Sequence, residues 1–561
     1  MGEATRCAQD VVAELVAQGV REVVLAPGSR SAPLAYAVVA ADQDGQLRMH
    51  VRIDERGAGF LALGLAKVSG QPVAVVTTSG TAVANLHPAV LEAWHAHLPL
   101  VVVTADRPRS MTHTGANQTT HQLGLFGDHL RGLAGLSDAV LDPRTWRFEV
   151  SRLLAAARGV RTRLPGPVHL NVELSDPLTP ELSDPLTPEL SDPLTPEGPV
   201  PAAATGVLTA VTGLAEPVPT LLTGRPRTVV LAGDGLPDAG ARVAELATSA
   251  GVPLLAEPSS NARRGPVALA TYRLLLDTPL AQRIERVVVF GHPTLSRPIT
   301  RLLAREDVEL VVVSPHADWI DPGQRASMVL DAVRFGPGPE QGGWLAEWQR
   351  LDRELGRRLA DLLAAQRGLS GPLVARTFLA AVGEQGPVFV GASNPVRDLD
   401  LAPVVDAPGA VYANRGLSGI DGSISTAAGI ALGSGRPVHA LLGDVTTLHD
   451  LTGLAHGPDE PRPNLRIVVA NDDGGSIFAT LEHGAPEREL AFERVFATPH
   501  GVRFAGVAEV FGVAYAHVTT ADQLRDALGP EPRGVEIVEV VVDRRGRRAL
   551  DRAVTGLAAT L

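Results

Sequence analysis

Two apolar runs near the carboxyl end of this chain stop abruptly at acidic residues. Val438-His439-Ala440-Leu441-Leu442 leads into Gly443-Asp444, and Leu465-Arg466-Ile467-Val468-Val469-Ala470 leads into Asn471-Asp472-Asp473-Gly474-Gly475. A short run without polar alternation reads as a strand covered on both faces, the setting of a parallel sheet. Parallel neighbours need a crossover, and the interval between Asp444 and Asp472 leaves room for a helix at 446–455 and two loops. Both acidic clusters then project from the carboxyl ends of adjacent strands, where open α/β sheets bind ligands.

Mg²⁺ prefers octahedral oxygen coordination and is usually held by one or two carboxylates together with phosphate oxygens. Asp444, Asp472 and a backbone carbonyl at Gly474 suit such an ion beside a diphosphate, and Gly474 and Gly475 let the main chain come close. Polar tips at strand ends are common in α/β proteins, and Gly233-Asp234-Gly235, after Thr228-Val229-Val230-Leu231-Ala232 and before Asn261, imitates the pattern. The later site is preferred because only there does a doubled polar pair precede Gly-Gly and then Ile477-Phe478, an apolar wall for a cofactor.

A lone carboxyl supplies a second constraint. In Ile53-Asp54-Glu55-Arg56-Gly57-Ala58-Gly59, Glu55 opens the helical run Phe60-Leu61-Ala62-Leu63-Gly64-Leu65-Ala66, whose small residues allow tight packing. Burial there is expected to raise its pKa into a range where a proton can be shared. A carboxylate at a helix start also interacts with the macrodipole, without any catalytic role.

Five further segments join these: Ala26-Pro27-Gly28-Ser29-Arg30-Ser31-Ala32-Pro33-Leu34, Thr77-Thr78-Ser79-Gly80-Thr81-Ala82-Val83-Ala84-Asn85, Ala105-Asp106-Arg107-Pro108, Gly115-Ala116-Asn117-Gln118 and Asn414-Arg415-Gly416-Leu417-Ser418-Gly419-Ile420-Asp421-Gly422. With them the chain resembles the thiamine-diphosphate enzyme superfamily. Within it, the chain resembles the 2-succinyl-5-enolpyruvyl-6-hydroxy-3-cyclohexene-1-carboxylate synthases of menaquinone biosynthesis. The resemblance implies thiamine diphosphate with Mg²⁺ or Mn²⁺, decarboxylation of 2-oxoglutarate, and conjugate addition of the succinyl carbanion to isochorismate. It also implies a homodimer or homotetramer with the active site between chains. By the same resemblance, Glu55 activates the cofactor. Ser29, Arg30, Arg107, Asn117 and Gln118 orient substrate from the first domain, and Ser393, Arg397 and Arg415 do so from the last. Thr78, Ser393, Gly443 and Val445 contact the cofactor, Ile420 and Phe478 are apolar positions around it, and Ile477 lies beside the reacting carbon. Asp444, Asp472 and Gly474 hold the metal. Two positions depart from the pattern: Asp472 stands where asparagine is usual, adding negative charge beside a diphosphate, and Val445 replaces the glycine common in the wider superfamily.

Charge and composition narrow the field. With a formal net charge of −12, the chain must attract dicarboxylates through local cations rather than its global field. Arginine suits that task because its fork binds carboxylates bidentately and stays charged in a partly dry site. Another thiamine-diphosphate carboligase or 2-oxo acid decarboxylase, such as an acetohydroxyacid synthase, is the nearest alternative; a pyruvate enzyme has one carboxylate to hold and would favour a smaller, more apolar pocket. A catalytically silent binding paralogue is a further alternative, against which the joint presence of Glu55, Asp444 and Asp472 argues. Lys67 is the only lysine and precedes Val68, so no phosphate-binding Gly-Lys-Ser/Thr loop exists and a Schiff-base lysine is disfavoured. Cys7 is the only cysteine, which excludes intrachain disulfides and thiolate clusters. No His-Glu-x-x-His spacing occurs, no nucleic-acid partner is implied, and no run is long enough for membrane insertion, so a cytoplasmic protein is expected.

The expected fold class is α/β, with three doubly wound, mostly parallel-sheet domains. A pyrimidine-binding domain is placed at 1–173, a central α/β domain at 201–345 and a diphosphate-binding domain at 346–561. Between the first two, Leu-Ser-Asp-Pro-Leu-Thr-Pro-Glu occurs three times in succession from Leu174 to Glu197. Its prolines forbid regular helix or central strand, so 174–200 is read as an extended linker. A helix at 345–365, rich in Arg, Leu and Glu, is expected to be a solvated connector into the third domain.

Overall fold

The structure is a computed structural model that describes residues 2–139, 142–180, 207–208, 210–224, 227–336, 342–405 and 409–561. The chain forms two compact units. The first comprises Met1–Ala215 with Ser425–Gly435 and Thr452–Arg462; the second comprises Glu216–Ile424, Arg436–Leu451 and Pro463–Leu561.

The first unit is built on one parallel sheet of β1 (Glu22–Leu25), β2 (Arg48–Val51), β3 (Val73–Thr77), β4 (Leu100–Asp106), β5 (Gly132–Ser137) and β6 (Val168–Glu173). Their order is β2-β1-β3-β4-β6-β5, so the chain winds outward from β1 in both directions. The five residues of β3 are all buried, as expected of a strand covered on both faces. Each valine or leucine enclosed in such a layer contributes about 1.5–3 kcal/mol. β2 and β5 were not legible as apolar runs: Arg48-Met49-His50-Val51 and Gly132-Leu133-Ala134-Gly135-Leu136-Ser137 carry too little continuous hydrophobicity.

The helix Glu55–Ser69 leaves β2 with Asp54 as its N-cap, the carboxylate accepting the Arg56 amide, and ends at Gly70, φ +62°. Its glycines serve close approach. A Cβ on Gly64 would lie 2.2 Å from the Thr426 carbonyl oxygen, and one on Gly429 would lie 2.3 Å from that of Leu61. The two backbones therefore touch where a side chain would otherwise separate them.

The first repeat copy is described through Pro180, and the remaining copies lie outside the described residues. The chain beyond them also belongs to the first unit: the Val207 amide donates to buried Glu14, Gln18 to the Leu208 carbonyl and Arg161 to the Thr212 carbonyl.

The second unit holds two main parallel sheets. One contains β8 (Thr228–Ala232), β9 (Leu254–Ala256), β10 (Arg286–Phe290), β11 (Glu309–Val313) and β12 (Ala326–Leu330), in the order β12-β11-β10-β8-β9, with β7 (Thr220–Leu222) and β13 (Val333–Phe335) forming a small parallel pair. The other contains β14 (Val388–Val390), β15 (Val411–Tyr412), β16 (Val438–Gly443), β17 (Leu465–Asn471), β18 (Ala514–Val518) and β19 (Val535–Val541), in the order β15-β14-β16-β17-β19-β18.

The fold departs from the sequence expectation in two places. The crossover after Asp444 is a short helix, Asp444–Leu448, followed by a 3₁₀ turn, Leu451–Leu454, rather than one helix over 446–455. Thr446 and Thr447 are β-branched, and the Thr447 hydroxyl bonds back to the Gly443 carbonyl, both unfavourable to a longer helix. The helix Gly342–Ala364 is not merely a solvated connector: Trp344, Trp348, Leu355, Leu359 and Leu363 form an apolar stripe buried in the core around β8, β10 and β11.

Candidate active site

The candidate residues of the first unit gather at the carboxyl ends of β1, β3, β4 and β6. The turn after β1 rests on the end of β3, since a Cβ on Gly28 would lie 2.2 Å from the Thr78 Cβ. Ser29 is exposed at this turn, and Arg30 is buried, donating to the Leu174 carbonyl at 2.8 Å with Asp176 at 3.7 Å. The Leu174 amide bonds to the Asp106 carbonyl, which brings Arg30 beside the strand end that presents Arg107. Asn117 and Gln118 are exposed on the loop after β4, and Gln118 has a positive φ of +54°. Gln118 Cα lies 3.6 Å from where a Gly80 Cβ would stand, placing this loop against the Thr78-Ser79-Gly80 turn. Glu55 accepts a 3.3 Å hydrogen bond from Asn85. It is half-buried within this unit, not enclosed as the sequence suggested, because Ile53 and Asn85 beside it are themselves exposed.

In the second unit the ends of β16 and β17 bring two carboxylates together. Asp444 is buried, with Oδ1 accepting the Val445 amide at 2.7 Å and Oδ2 accepting the Gly474 amide at 2.8 Å. Asp472 Oδ2 accepts from the Ser476 hydroxyl, while Asp472 Oδ1 is shut from solvent with no hydrogen-bond partner. Burial raises the pKa of both carboxyls, and that of Asp472 is pushed up to about 7, with the neighbouring charge of Asp444 adding to the effect. Gly474, at φ +137°, sits where a Cβ would lie 2.0 Å from the Ala497 carbonyl oxygen. Two carboxylates that destabilise each other, one with an unsatisfied inward oxygen, beside a backbone only glycine can adopt, fit a hard divalent cation. Among the described residues no cluster of three or more His, Cys, Asp or Glu side chains is arranged to hold a metal, so phosphate and carbonyl oxygens would complete this set.

The structure adds His500, which sequence reasoning missed. Its Nδ1 accepts the Val502 amide at 3.0 Å, so the proton resides on Nε2, 3.2 Å from Asp444 Oδ2. Asp473 braces the same loop, accepting the amides of His500 and Gly501. No motif spacing signals this histidine, since folding alone brings its loop beside Asp444.

The remaining positions of this unit lie along the same sheet. Ser393 stands in a strained backbone, φ +71°, before the helix Asn394–Leu399, and its carbonyl accepts from Arg397 at 2.8 Å. Asn394 donates to Ser476 at 2.7 Å, joining this helix to the Asp472 turn. Burial, then the charges of Arg415 and Arg273, hold the Arg397 guanidinium below its usual range. Arg415 is 2% exposed and donates to Thr294 at 2.6 Å. Arginines drawn together against their mutual repulsion suit an anionic ligand. Ile420 and Ile477 are half-buried, as are Gly443 and Val445, and Phe478 is exposed beside Phe496.

The imitating segment has a different task. A Cβ on Gly233 would lie 2.0 Å from the Pro293 nitrogen, and Asp234 pairs as an antiparallel bridge with His292. Asn261 donates to the carbonyls of Gly235 and Val411 and accepts the Val411 amide, acting as a clasp on β15.

Two family models match the chain: the N-terminal TPP binding domain of thiamine pyrophosphate enzymes over residues 5–125, and the C-terminal TPP binding domain over residues 399–531. Fold and site thus define a thiamine pyrophosphate enzyme. Curated relatives extend the likeness to full length. A 2-succinyl-5-enolpyruvyl-6-hydroxy-3-cyclohexene-1-carboxylate synthase of Kineococcus radiotolerans is 49% identical, with 100% of both chains covered. Synthases of the same name from a Nocardioides species and from Paenarthrobacter aurescens are 47% and 46% identical, covering 99% and 97% of this chain and 98% and 95% of their own. The chain belongs to the 2-succinyl-5-enolpyruvyl-6-hydroxy-3-cyclohexene-1-carboxylate synthase family.

Proposed function

We propose that this chain is the synthase of that name, decarboxylating 2-oxoglutarate and adding the succinyl unit to isochorismate in menaquinone biosynthesis. The observation that carries the reading is the Asp444–Asp472 pair with its unpartnered inward oxygen, in a chain 49% identical end to end to an enzyme of that name. Bound thiamine diphosphate supplies the carbon nucleophile for the 2-oxo acid and an electron sink when carbon dioxide leaves.

The chain's own residues do the rest. Asp444, Asp472 and the Gly474 carbonyl hold Mg²⁺ or Mn²⁺, and Gly443, Val445, Thr78 and Ser393 contact the cofactor. Ile420, Ile477 and Phe478 wall it off from water. Glu55 shares a proton with the cofactor's pyrimidine ring. Arg30, Arg107, Arg397 and Arg415 hold substrate carboxylates, while Ser29, Asn117 and Gln118 orient the polar groups between them. The chain acts as a cytoplasmic homodimer or homotetramer with the active site between chains, which supplies the enclosure that Glu55 lacks within its own unit. Its domain plan is 1–173, 201–345 and 346–561 around the repeat segment 174–200, with Val207, Leu208 and Thr212 bonded to the first domain and the helix Gly342–Ala364 packed on the second. Among the described residues no helix is long and apolar enough to cross a membrane.

The test is carbon dioxide release from 2-oxoglutarate by the purified protein with thiamine diphosphate and Mg²⁺, with and without isochorismate, following the coupled product by mass. Coupled product formed only with both substrates supports the synthase. Turnover of pyruvate alone makes it a general carboligase. Silence with every 2-oxo acid, despite cofactor-induced stabilisation, leaves a binding paralogue.

A further inference from the structure

Beneath the candidate residues of the first unit lies a polar network that none of the assigned roles uses. Gln122 is 1% exposed and its amide is fully committed: Oε1 accepts the Gly80 amide at 2.8 Å, and Nε2 donates to the Ala105 carbonyl at 3.1 Å and to Asn171 Oδ1 at 2.7 Å. Reversing the amide would set its NH₂ against the Gly80 N–H and its oxygen against two oxygens, so only one orientation is possible. Asn171, also 1% exposed, receives the Thr104 hydroxyl on the same Oδ1 at 2.7 Å and passes its own NH₂ to Asp106 Oδ2 at 2.9 Å. Asp106 Oδ1 accepts the Arg107 amide at 2.8 Å. Thr104, donating to Asn171, must accept from His169 Nε2 at 2.7 Å, and burial keeps that imidazole neutral, with a pKa of about 4. The donors therefore point one way, from β6 and the Gln122 loop toward Asp106.

The ends of this network are the positions that matter. Gly80, φ +84°, faces Gln118, φ +54°, and two left-handed residues in contact do not hold themselves in place. Arg107 follows Asp106 at the other end. Gln122 lies four residues after Gln118, so a single side chain ties the loop of Asn117 and Gln118 to the Gly80 turn and to the strand end bearing Arg107. Phe126, 0% exposed and packed edge-on against His169, anchors the same loop by apolar contact and would keep it docked without Gln122.

We propose that Gln122, working through Asn171, is a positioning residue that sets the mutual placement of Gln118, the Thr78–Gly80 turn and Arg107 for substrate binding. This rests on the reading that Gln118 and Arg107 meet substrate. The test uses the full-length protein with thiamine diphosphate and Mg²⁺ and three variants: Gln122→Leu, which removes the network's bonds, Gln122→Glu, which keeps the acceptor for Gly80 and loses both donors, and Gln118→Ala. The expected result is a KM for 2-oxoglutarate or isochorismate raised about tenfold in both Gln122 variants, with kcat changed less than about threefold and cofactor affinity unchanged. Hydrogen exchange in peptides spanning residues 78–84 and 112–121 should quicken in Gln122→Leu. Gln122→Leu and Gln118→Ala should combine less than additively on KM. If Gln118→Ala raises KM while Gln122→Glu keeps wild-type KM and exchange, the positioning role is refuted and the site reading stands. If Gln118→Ala leaves both KM values unchanged, the site reading falls and the inference with it. A Gln122→Leu chain that fails to fold leaves the decision to Gln122→Glu.

Discussion

Gly474→Ala should disable cofactor binding without unfolding the protein. The added Cβ would stand 2.0 Å from the Ala497 carbonyl oxygen, whereas carbon and oxygen in close contact keep about 3.3 Å. The turn must therefore retreat by roughly 1.3 Å, while Mg²⁺ tolerates ligands only near about 2.0–2.1 Å. The same retreat strains the 2.8 Å bond from the Gly474 amide to Asp444. The contact of the Gly474 carbonyl with the metal, taken as equal to a hydrogen bond to a charged group at about 1.5–3 kcal/mol, converts on its loss to roughly 10- to 150-fold in affinity. Calorimetric titration of thiamine diphosphate at fixed Mg²⁺ measures this, alongside thermal unfolding without ligand. Gly512→Ala is the control: its φ is +63° with no atom within 4 Å of the added Cβ, so it adds local strain of about 1 kcal/mol and leaves cofactor affinity alone. Affinity within twofold of wild type in Gly474→Ala, with unfolding unchanged, would refute the assignment of this turn to the metal.

Glu55→Gln should bind the cofactor nearly as well as the parent and lose most turnover; preserved turnover in a product assay would remove Glu55 from the chemistry. Gly64→Ala should lower the urea midpoint by the equivalent of about 1–3 kcal/mol through the clash with the Thr426 carbonyl, and an unchanged midpoint would show that the helices can part without cost. Glu257, 1% exposed, has its pKa pushed up from 4.5 to about 8 by burial. Its carboxyl is neutral in folded and unfolded chains alike below about pH 4.5, and above that the unfolded chain ionises first. The folded state therefore loses stability as pH rises from 4.5 toward 8, and Glu257→Gln should flatten that slope in urea unfolding across the range; parallel slopes for both proteins would contradict this.

The sheets were legible where apolar runs were continuous. The strands Thr228–Ala232, Val438–Gly443 and Leu465–Asn471 fall on the continuous apolar runs of the sequence. Strands whose burial comes from neighbours rather than from their own side chains, such as Arg48–Val51, left no such trace. At the site, Asp444 and Gly474 announced themselves by following apolar strands and by glycine content. His500 and Gln122 did not, because each reaches its partner across a loop whose path only the folded chain defines. Gly233-Asp234 shows the converse, a matching local pattern whose backbone is taken up by pairing with His292 and close packing on Pro293.

Asn261, the clasp of that imitating segment, closes the edge of a sheet from within. Strand β15 is the outer strand of its sheet, so the Val411 amide and carbonyl lack a strand partner on one side although the residue is buried. The Asn261 amide meets both, at 2.8 and 3.0 Å, doing with one side chain what a neighbouring strand would do with a backbone. Removing that side chain would leave two buried backbone groups without these partners, and lost stability rather than lost chemistry would be its first symptom.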